Sequence, residues 1–239
     1  MQLNRKLKFI AIFIGFIFTG CASFEPGLRF HDLTRVRQPT VKEMLEGLEV
    51  SVEEFASVSK SQQAFDTDLA SYGVLALLVR LENKGTENYH VHQQDIQAFL
   101  GNHPLPFLSG IEAASRAATS EYVGKALGWT VATGPFFIFL WPATIAGSAS
   151  HTQSVNQRIQ QHFEGLMFNG TLLKPNQTAA GFLYFRLPDG IKNLEKLTLE
   201  VQVSEERSGR RPTFKLSLPT LQLSNPASSS AASETRAAE

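Results

Sequence analysis

The chain has 239 residues, with 22 basic and 22 acidic side chains, and 43% of its residues are hydrophobic. This length and apolar content suit one domain that carries an insertion or tails. The balanced charge argues against a nucleic-acid-binding protein, which would show a basic excess. Cys21 is the only cysteine, so the chain cannot form an internal disulfide.

Residues 1–20 have the pattern of a secretory leader. Arg5, Lys6 and Lys8 precede a short apolar run, FIAIFIGFIF, and two small residues follow before the cysteine. A basic region, an apolar region and small residues are the three parts of a cleaved signal peptide. Removal of the three basic residues leaves 19 basic and 22 acidic residues, a net charge of about −3.

The residues at the end of this leader, Phe18-Thr19-Gly20-Cys21, resemble the lipobox of bacterial lipoproteins. The resemblance implies cleavage before Cys21 and a covalent lipid on it. We expect no other cofactor. Phe18 departs from the leucine usual in that family, which implies less efficient processing. Ala22 follows the cysteine, and in Gram-negative lipoproteins a residue other than aspartate there implies delivery to the outer membrane, most simply on its periplasmic face.

Residues 21–46 are expected to form a tether. Within it, Thr40 and Glu43 could cap a short helix that runs through Leu45, or the segment could have no fixed shape. The tether would hold the folded domain near the membrane.

Two stretches of alternating apolar and polar residues, 47–108 and 167–223, predict short β-strands separated by turns. The strongest strand is Tyr72–Glu82, which is apolar on both faces. We expect Tyr89–His92 to return after the turn at Asn83–Gly85 and pair with it. Residues 224–239 are small and polar and should be disordered.

The fold class that these strands predict is mainly β, an antiparallel immunoglobulin-like β-sandwich interrupted by a helical hairpin. A barrel is the main alternative. The mature domain resembles uncharacterised envelope lipoproteins that join such a sandwich to an inserted helical pair, and it matches no named family.

The insertion, residues 109–166, is the most unusual part of the sequence. Ser109 and Glu112 form a capping-box pattern that predicts the start of a helix. Residues 126–149, ALGWTVATGPFFIFLWPATIAGSA, carry no charge. A row of small residues recurs every fourth position and would allow close helix packing: Ser120, Gly124, Gly128 and Ala132. Gly134-Pro135 should end the first helix.

Six consecutive large apolar residues, 136–141, would form the tip of this hairpin. Because consecutive residues point all around a helix, one face of a sandwich cannot cover them all. The candidates for membrane or partner contact are Trp129, Phe136, Phe137, Phe139 and Trp141. The alternative is a hairpin that packs on its own domain.

Candidate chemistry is sparse. His90 and His92 share one face of a strand, with Asp95 nearby, which makes them weak candidates for a metal site because zinc needs three or four fixed ligands. Arg207, Arg210 and Arg211 cluster in one turn, which we interpret as a solvated loop. No nucleophile elbow, phosphate loop or dinucleotide pattern is present, so we expect no enzymatic activity and no bound metal.

These observations predict an outer-membrane lipoprotein that is a scaffold or accessory subunit of an envelope assembly for secretion or transport. Its partners would be the membrane, through the lipid anchor, and envelope proteins or further copies of itself; we expect no nucleic acid. Two alternatives stay open. The first is a periplasmic module that binds a ligand or peptide in a cleft between hairpin and sandwich. The second is a metal-dependent enzyme that uses His90 and His92.

Overall fold

The structure is a computed structural model that describes residues 26–27, 33–34, 39–117 and 157–223. The predicted leader, most of the predicted tether, the middle of the insertion and the C-terminal tail lie outside these residues.

The described residues are mainly β. They form fourteen strands, β1 (Val41–Leu45), β2 (Leu48–Glu54), β3 (Val74–Asn83), β4 (Tyr89–Val91), β5 (Ile96–Leu100), β6 (His103–Pro104), β7 (Phe107–Leu108), β8 (Thr171–Leu173), β9 (Thr178–Arg186), β10 (Asn193–Leu194), β11 (Leu197–Gln202), β12 (Ser204–Glu205), β13 (Thr213–Ser217) and β14 (Leu221–Gln222). Three α-helices accompany them: Val58–Phe65, residues 110–117 (the leading helix) and residues 157–166 (the returning helix). Two short 3-10 turns span Leu69–Tyr72 and Gln93–Asp95.

Five antiparallel strands form sheet 1, in the order β1-β2-β3-β9-β7. The central strand, β3, pairs with β2 along one edge and with β9 along the other. Its sequence VLALLVRLEN is almost continuously apolar because side chains on both faces of this strand are buried.

A two-residue turn, Glu46-Gly47, joins β1 to β2. Both residues have positive φ, 53° and 83°, the pattern of the type I′ turn whose twist matches that of paired strands. A Cβ at residue 47 would lie 2.7 Å from the Cα of Gly85. Glycine is therefore required here both by its conformation and by this close approach.

Sheet 2 has the strand order β13-β11-β5-β6, again antiparallel. The chain crosses to sheet 1 between β6 and β7: Leu105 N donates to Ala98 O at 2.8 Å, and Arg186 N donates to Pro106 O at 2.8 Å. At the opposite edge, Lys215 N of β13 donates to a carboxylate oxygen of Glu43 in β1 at 3.1 Å. The two sheets therefore meet at both edges. This arrangement lies between the predicted sandwich and its barrel alternative, and the immunoglobulin-like topology stays a prediction.

Two apolar cores occupy the opposite faces of sheet 1. The first, which we call the sheet core, lies between sheet 1, sheet 2 and the small sheet β12-β4-β8. Its members include Leu77 and Phe185 from sheet 1 and Leu199 and Phe214 from sheet 2. The second, the helical core, lies between the other face of sheet 1 and the three helices. The described chain thus forms three layers, with sheet 1 in the middle.

One predicted helix is wrong. Residues 41–45 form the edge strand β1 and not a capped helix or a shapeless linker, and they pair with β2 in register from Val41↔Val52 to Leu45↔Leu48. A helix of five residues would be marginal, whereas the hairpin gives this backbone regular hydrogen bonds. Residues 41–45, within the stretch predicted as tether, are therefore part of the folded domain.

The predicted pairing of Tyr89–His92 with the strand before it is also wrong. β4 pairs with β8 and with β12. Because β2 and β9 already occupy both edges of β3, no edge of β3 is left for β4.

The Val58–Phe65 helix was not predicted. Its sequence, VSKSQQAF, buries only Ser61, Ala64 and Phe65, too few apolar residues to show a helical period. Its position is decided by the face of sheet 1 that it covers.

Candidate functional site

Most residues predicted to carry function lie outside the described residues. They are Cys21, Ser120, Gly124, Gly128, Trp129, Ala132, Phe136, Phe137, Phe139 and Trp141. The structure does describe His90, His92 and Asp95, and it describes both ends of the insertion. The base of the insertion is therefore the part of the candidate site whose geometry can be given.

The insertion begins with the predicted capping box. Ser109 N donates to a carboxylate oxygen of Glu112 at 2.8 Å, and Glu112 N donates to Ser109 Oγ at 3.2 Å. These reciprocal bonds satisfy amide groups that have no partner within the first turn of a helix. The hydrogen bond from the Ser109 backbone, followed by that from its hydroxyl, lowers the pKa of Glu112.

The two helices of the insertion meet at Gly110 and Glu164. Ile111 N donates to Glu164 Oε1 at 2.8 Å, which ties the first turn of the leading helix to the returning helix. A Cβ at residue 110 would lie 2.8 Å from both Glu164 N and Glu164 Oε1. This contact therefore has no space for a side chain at residue 110.

An aromatic cluster roots the returning helix in the domain. The ring of Phe163 lies 5.0 Å from that of Phe65 and 5.5 Å from that of Tyr184, measured between centroids, and Phe65 contacts Phe182 edge-on at 4.9 Å. Tyr184 Oη donates to Phe163 O at 3.2 Å, a carbonyl in the last turn of the helix. Burial raises the pKa of Tyr184 well above its ordinary value.

The leading helix buries only alanines against the same core: Ala113, Ala114 and Ala117. Small side chains let the backbone of the leading helix approach the rest of the helical core closely. From the returning helix, His162 Nε2 lies 3.0 Å from Ala64 O, and burial lowers the pKa of this histidine. Both ends of the insertion are thus integral parts of the helical core.

The described residues of the N-terminal segment also contact the helical core. Gly27 N donates to Gln63 O at 2.8 Å, a carbonyl in the last turn of the Val58–Phe65 helix. Leu33 is 1% exposed and belongs to the helical core. The chain that follows Cys21 therefore joins the domain on its helical side.

The predicted metal candidates occupy a different part of the molecule. The rings of His90 and His92 are nearly parallel, with centroids 6.4 Å apart. His90 Nε2 lies 3.5 Å from Glu206 Oε1, and Asn88 Nδ2 donates to Glu206 Oε2 at 2.7 Å. Among the residues that the structure describes, no three His, Cys, Asp or Glu side chains are arranged to hold a metal ion.

The arginine-rich loop is exposed, as predicted for a solvated turn, and hydrogen bonds also tie it to neighbouring residues. Arg210 binds Glu205 through two nitrogens at 3.0 Å each, and its third nitrogen lies 2.7 Å from Glu46 Oε1. Ser208 Oγ also donates to Glu205. These bonds, led by the one from Ser208, lower the pKa of Glu205. The arrangement closes the loop onto the β1–β2 turn and has no feature of a reactive site.

A groove of about 450 Å³ lies where the leading helix meets the loop after β9. Tyr72, Arg116, Asp189 and Lys192 line it together with backbone of the Gly73 and Gly190 turns. It combines apolar walls with both signs of charge at the junction of the insertion and sheet 1.

Comparison with known proteins adds little to this geometry. No known family matches the chain, and no curated protein matches it. Among solved structures it is similar to YcdA from Bacillus subtilis, provisionally described as a lipoprotein, with a TM-score of 0.35 and 11% identity over 83% of this chain and 43% of that one. The chain therefore spans less than half the length of YcdA. A similarity of this level does not establish a shared function.

Within the parts of the chain that the structure describes, no helix is long and apolar enough to cross a membrane.

Sequence reasoning missed the residues that fix the base of the insertion, above all Glu164 and Tyr184. Their roles depend on contacts across 53 and 21 residues of sequence, which no local pattern reveals. One local signal was available, which is that Gly110 directly follows the serine of the capping box. A glycine in a helix costs stability, so its presence there indicates that another part of the chain approaches closely.

Proposed function

We propose that this protein is a non-enzymatic outer-membrane lipoprotein, anchored by lipid on Cys21 at the periplasmic face. Its domain, immunoglobulin-like in this proposal, is a scaffold or accessory subunit of an envelope assembly for secretion or transport. The apolar insertion contacts the membrane or other copies of the chain. Apart from the covalent lipid it needs no cofactor, and it binds no nucleic acid.

The observation that carries the proposal is how the base of the insertion is built. Phe182 and Tyr184 lie on the face of sheet 1 that borders the helical core. Described residues of that core already contact them, including Phe55, Phe65 and Phe163. These contacts on that face come from described residues outside the uncharged stretch 126–149. A long uncharged apolar segment whose two ends are fixed in the helical core supports a role in contact with another molecule or a bilayer.

The lipid anchor is tested by Cys21→Ser in the full chain. Because Cys21 is the only cysteine, the variant has no acceptor for a thioether lipid. We expect it to lose labelling by a fatty-acid analogue and to be released or mislocalised, with membrane association reduced to whatever the insertion alone supports. Ser23→Ala, just outside the lipobox, is the control and should behave as wild type. Unchanged labelling and fractionation of Cys21→Ser would show that the anchor assignment is wrong.

The groove beside Arg116 and Lys192 favours a second candidate, the periplasmic binding module. Its lining, in which apolar walls lie beside Asp189 and Lys192, suits a small polar ligand. A small molecule that co-purifies with the protein in stoichiometric amount would favour this candidate over a scaffold.

A further inference from the structure

We propose that the helical layer is the side of the domain that faces the lipid bilayer. The surface consists of the outward side of the Val58–Phe65, leading and returning helices. Sheet 2 and the Arg210 loop then face away from the membrane. This inference rests on the proposed lipid anchor at Cys21, and it adds the orientation of the domain to it.

The first argument is the length of chain between the anchor and the fold. Pro26 and Gly27 lie against the Val58–Phe65 helix, where Gly27 N donates to Gln63 O. Five residue steps separate Cys21 from Pro26, and at full extension they span at most about 18 Å. A compact domain of this size is on the order of 35–40 Å across. The lipid therefore enters the bilayer close to the helical side, and the opposite side is beyond its reach.

The second argument is where the insertion leaves and rejoins the domain. Its last described residues before the gap, 110–117, and its first after the gap, 157–166, both belong to the helical layer. Both ends of the insertion and the N-terminal attachment therefore share one side of sheet 1. Two membrane contacts on one face reinforce each other, because binding of one raises the effective concentration of the other.

The test places a single fluorescent label on either side of the lipidated full-length protein. Acylated Cys21 has no free thiol, so an engineered cysteine is the only labelling site. Ser59→Cys and Gln161→Cys report the helical face, and Gln97→Cys and Lys215→Cys report the outer face of sheet 2; all four residues are exposed. Vesicles contain a nitroxide quencher attached to the lipid headgroup. The outer face of sheet 2 would be roughly 20 Å farther from the bilayer, because two layers of about 10 Å separate the faces.

We expect quenching at residues 59 and 161 and little at 97 and 215. Equal quenching on both faces, stronger quenching on sheet 2, or no quenching while the protein stays on the vesicles would overturn the orientation and leave the anchor intact. A protein that lacks the lipid and leaves the vesicles would refute the anchor and the orientation together. A photo-crosslinker at residue 161 that captures one protein in native envelopes, without quenching by lipid, would assign the face to a protein partner and overturn the proposal.

Discussion

Single residues decide how the charged loop and the base of the insertion are held. Of the charged residues that the structure describes, Glu205 is the buried one, at 2% exposure, and Arg210 and Ser208 satisfy its carboxylate. A buried carboxylate is tolerated only when it is paired and hydrogen-bonded. The network therefore fixes the loop through a charge that must stay ionised.

This gives a prediction for acid stability. The pKa of Glu205 is lowered in the folded protein, so its ionised form stabilises the fold above the ordinary glutamate pKa of about 4.3. That contribution is lost as the pH falls through the lowered folded-state pKa. We expect Glu205→Gln to be less stable than wild type at pH 7 and to lose less stability on acidification. Urea unfolding at pH 7 and at lower pH measures both effects.

Three other carboxyl groups also have a lowered pKa in the folded protein: Glu49, Glu112 and Glu206. Because their protonation destabilises the wild type in acid as well, the informative quantity is the difference in stability between wild type and variant. Ser208→Ala is the control, because it removes the largest cause of the shift and keeps the charge. Its effect should be smaller than that of Glu205→Gln. Superimposable pH profiles for wild type and Glu205→Gln would contradict the prediction.

A second prediction concerns the hydroxyl of Tyr184. Tyr184→Phe keeps the ring in the aromatic cluster but leaves Phe163 O without its donor. A lost buried hydrogen bond of this kind costs about 1–2 kcal/mol in the free energy of unfolding. Chemical denaturation measures the loss. Tyr72→Phe, whose ring is only partly buried beside the groove, should change stability little. Equal effects of the two variants would show that the Tyr184 hydroxyl does not anchor the helix.

Among elements, the contact between the leading and returning helices decides how the insertion is held. Two glycines in these helices have opposite surroundings. A Cβ at Gly110 would lie 2.8 Å from Glu164 backbone nitrogen, whereas a Cβ at Gly165 has nothing within 4 Å. Substitution by alanine at Gly110 therefore tests the need for close approach, and the same substitution at Gly165 tests the general cost of glycine in a helix.

We expect Gly110→Ala to lower stability by about 1–3 kcal/mol, since the returning helix must shift to admit the methyl group. Gly165→Ala should instead raise stability by about 0.5–1 kcal/mol, because alanine loses less backbone entropy in a helix. Both values come from denaturant unfolding of the domain. If Gly110→Ala also stabilised the protein, the two helices would not meet as described.

For the whole molecule, the insertion and the lipid are expected to act together at one surface. The prediction tests the insertion alone, with the unlipidated domain that begins at residue 22. Wild type should float with liposomes or form a larger species. Phe137→Asp/Phe139→Asp should lose that property with little loss of stability, because charge opposes apolar contact.

Met44→Asp is the control, a change of an exposed apolar residue on the edge strand β1. It should leave flotation unchanged. Gly128→Leu should disturb packing of the hairpin through its row of small residues. If wild type is monomeric and stays off liposomes, and the double variant unfolds, then residues 136–141 are part of the protein core and the proposed contact is wrong.

The sequence by itself determined the features that depend on neighbouring residues. Alternation of apolar and polar residues located most long strands, including β2, β9 and β11, within one or two residues of their ends. The capping box at Ser109 and Glu112 located the start of the insertion, because its hydrogen bonds span only three residues. The lipobox resemblance is likewise local, and the lipid that it implies stays a prediction.

Tertiary structure alone decided the features that depend on distant partners. β4 could not be assigned its neighbours from sequence, because which sheet edges are free depends on every other strand. The sequence of residues 41–45 fits a helix or a linker, and only their pairing with β2 shows that they form a strand. The continuous apolar character of β3 predicted burial on both faces, with the hairpin as the cover of one face, but only packing showed that the Val58–Phe65 helix and Leu33 share that cover. The side of the molecule proposed to face the bilayer follows from that packing, since periodicity along a chain does not specify which layers share a face.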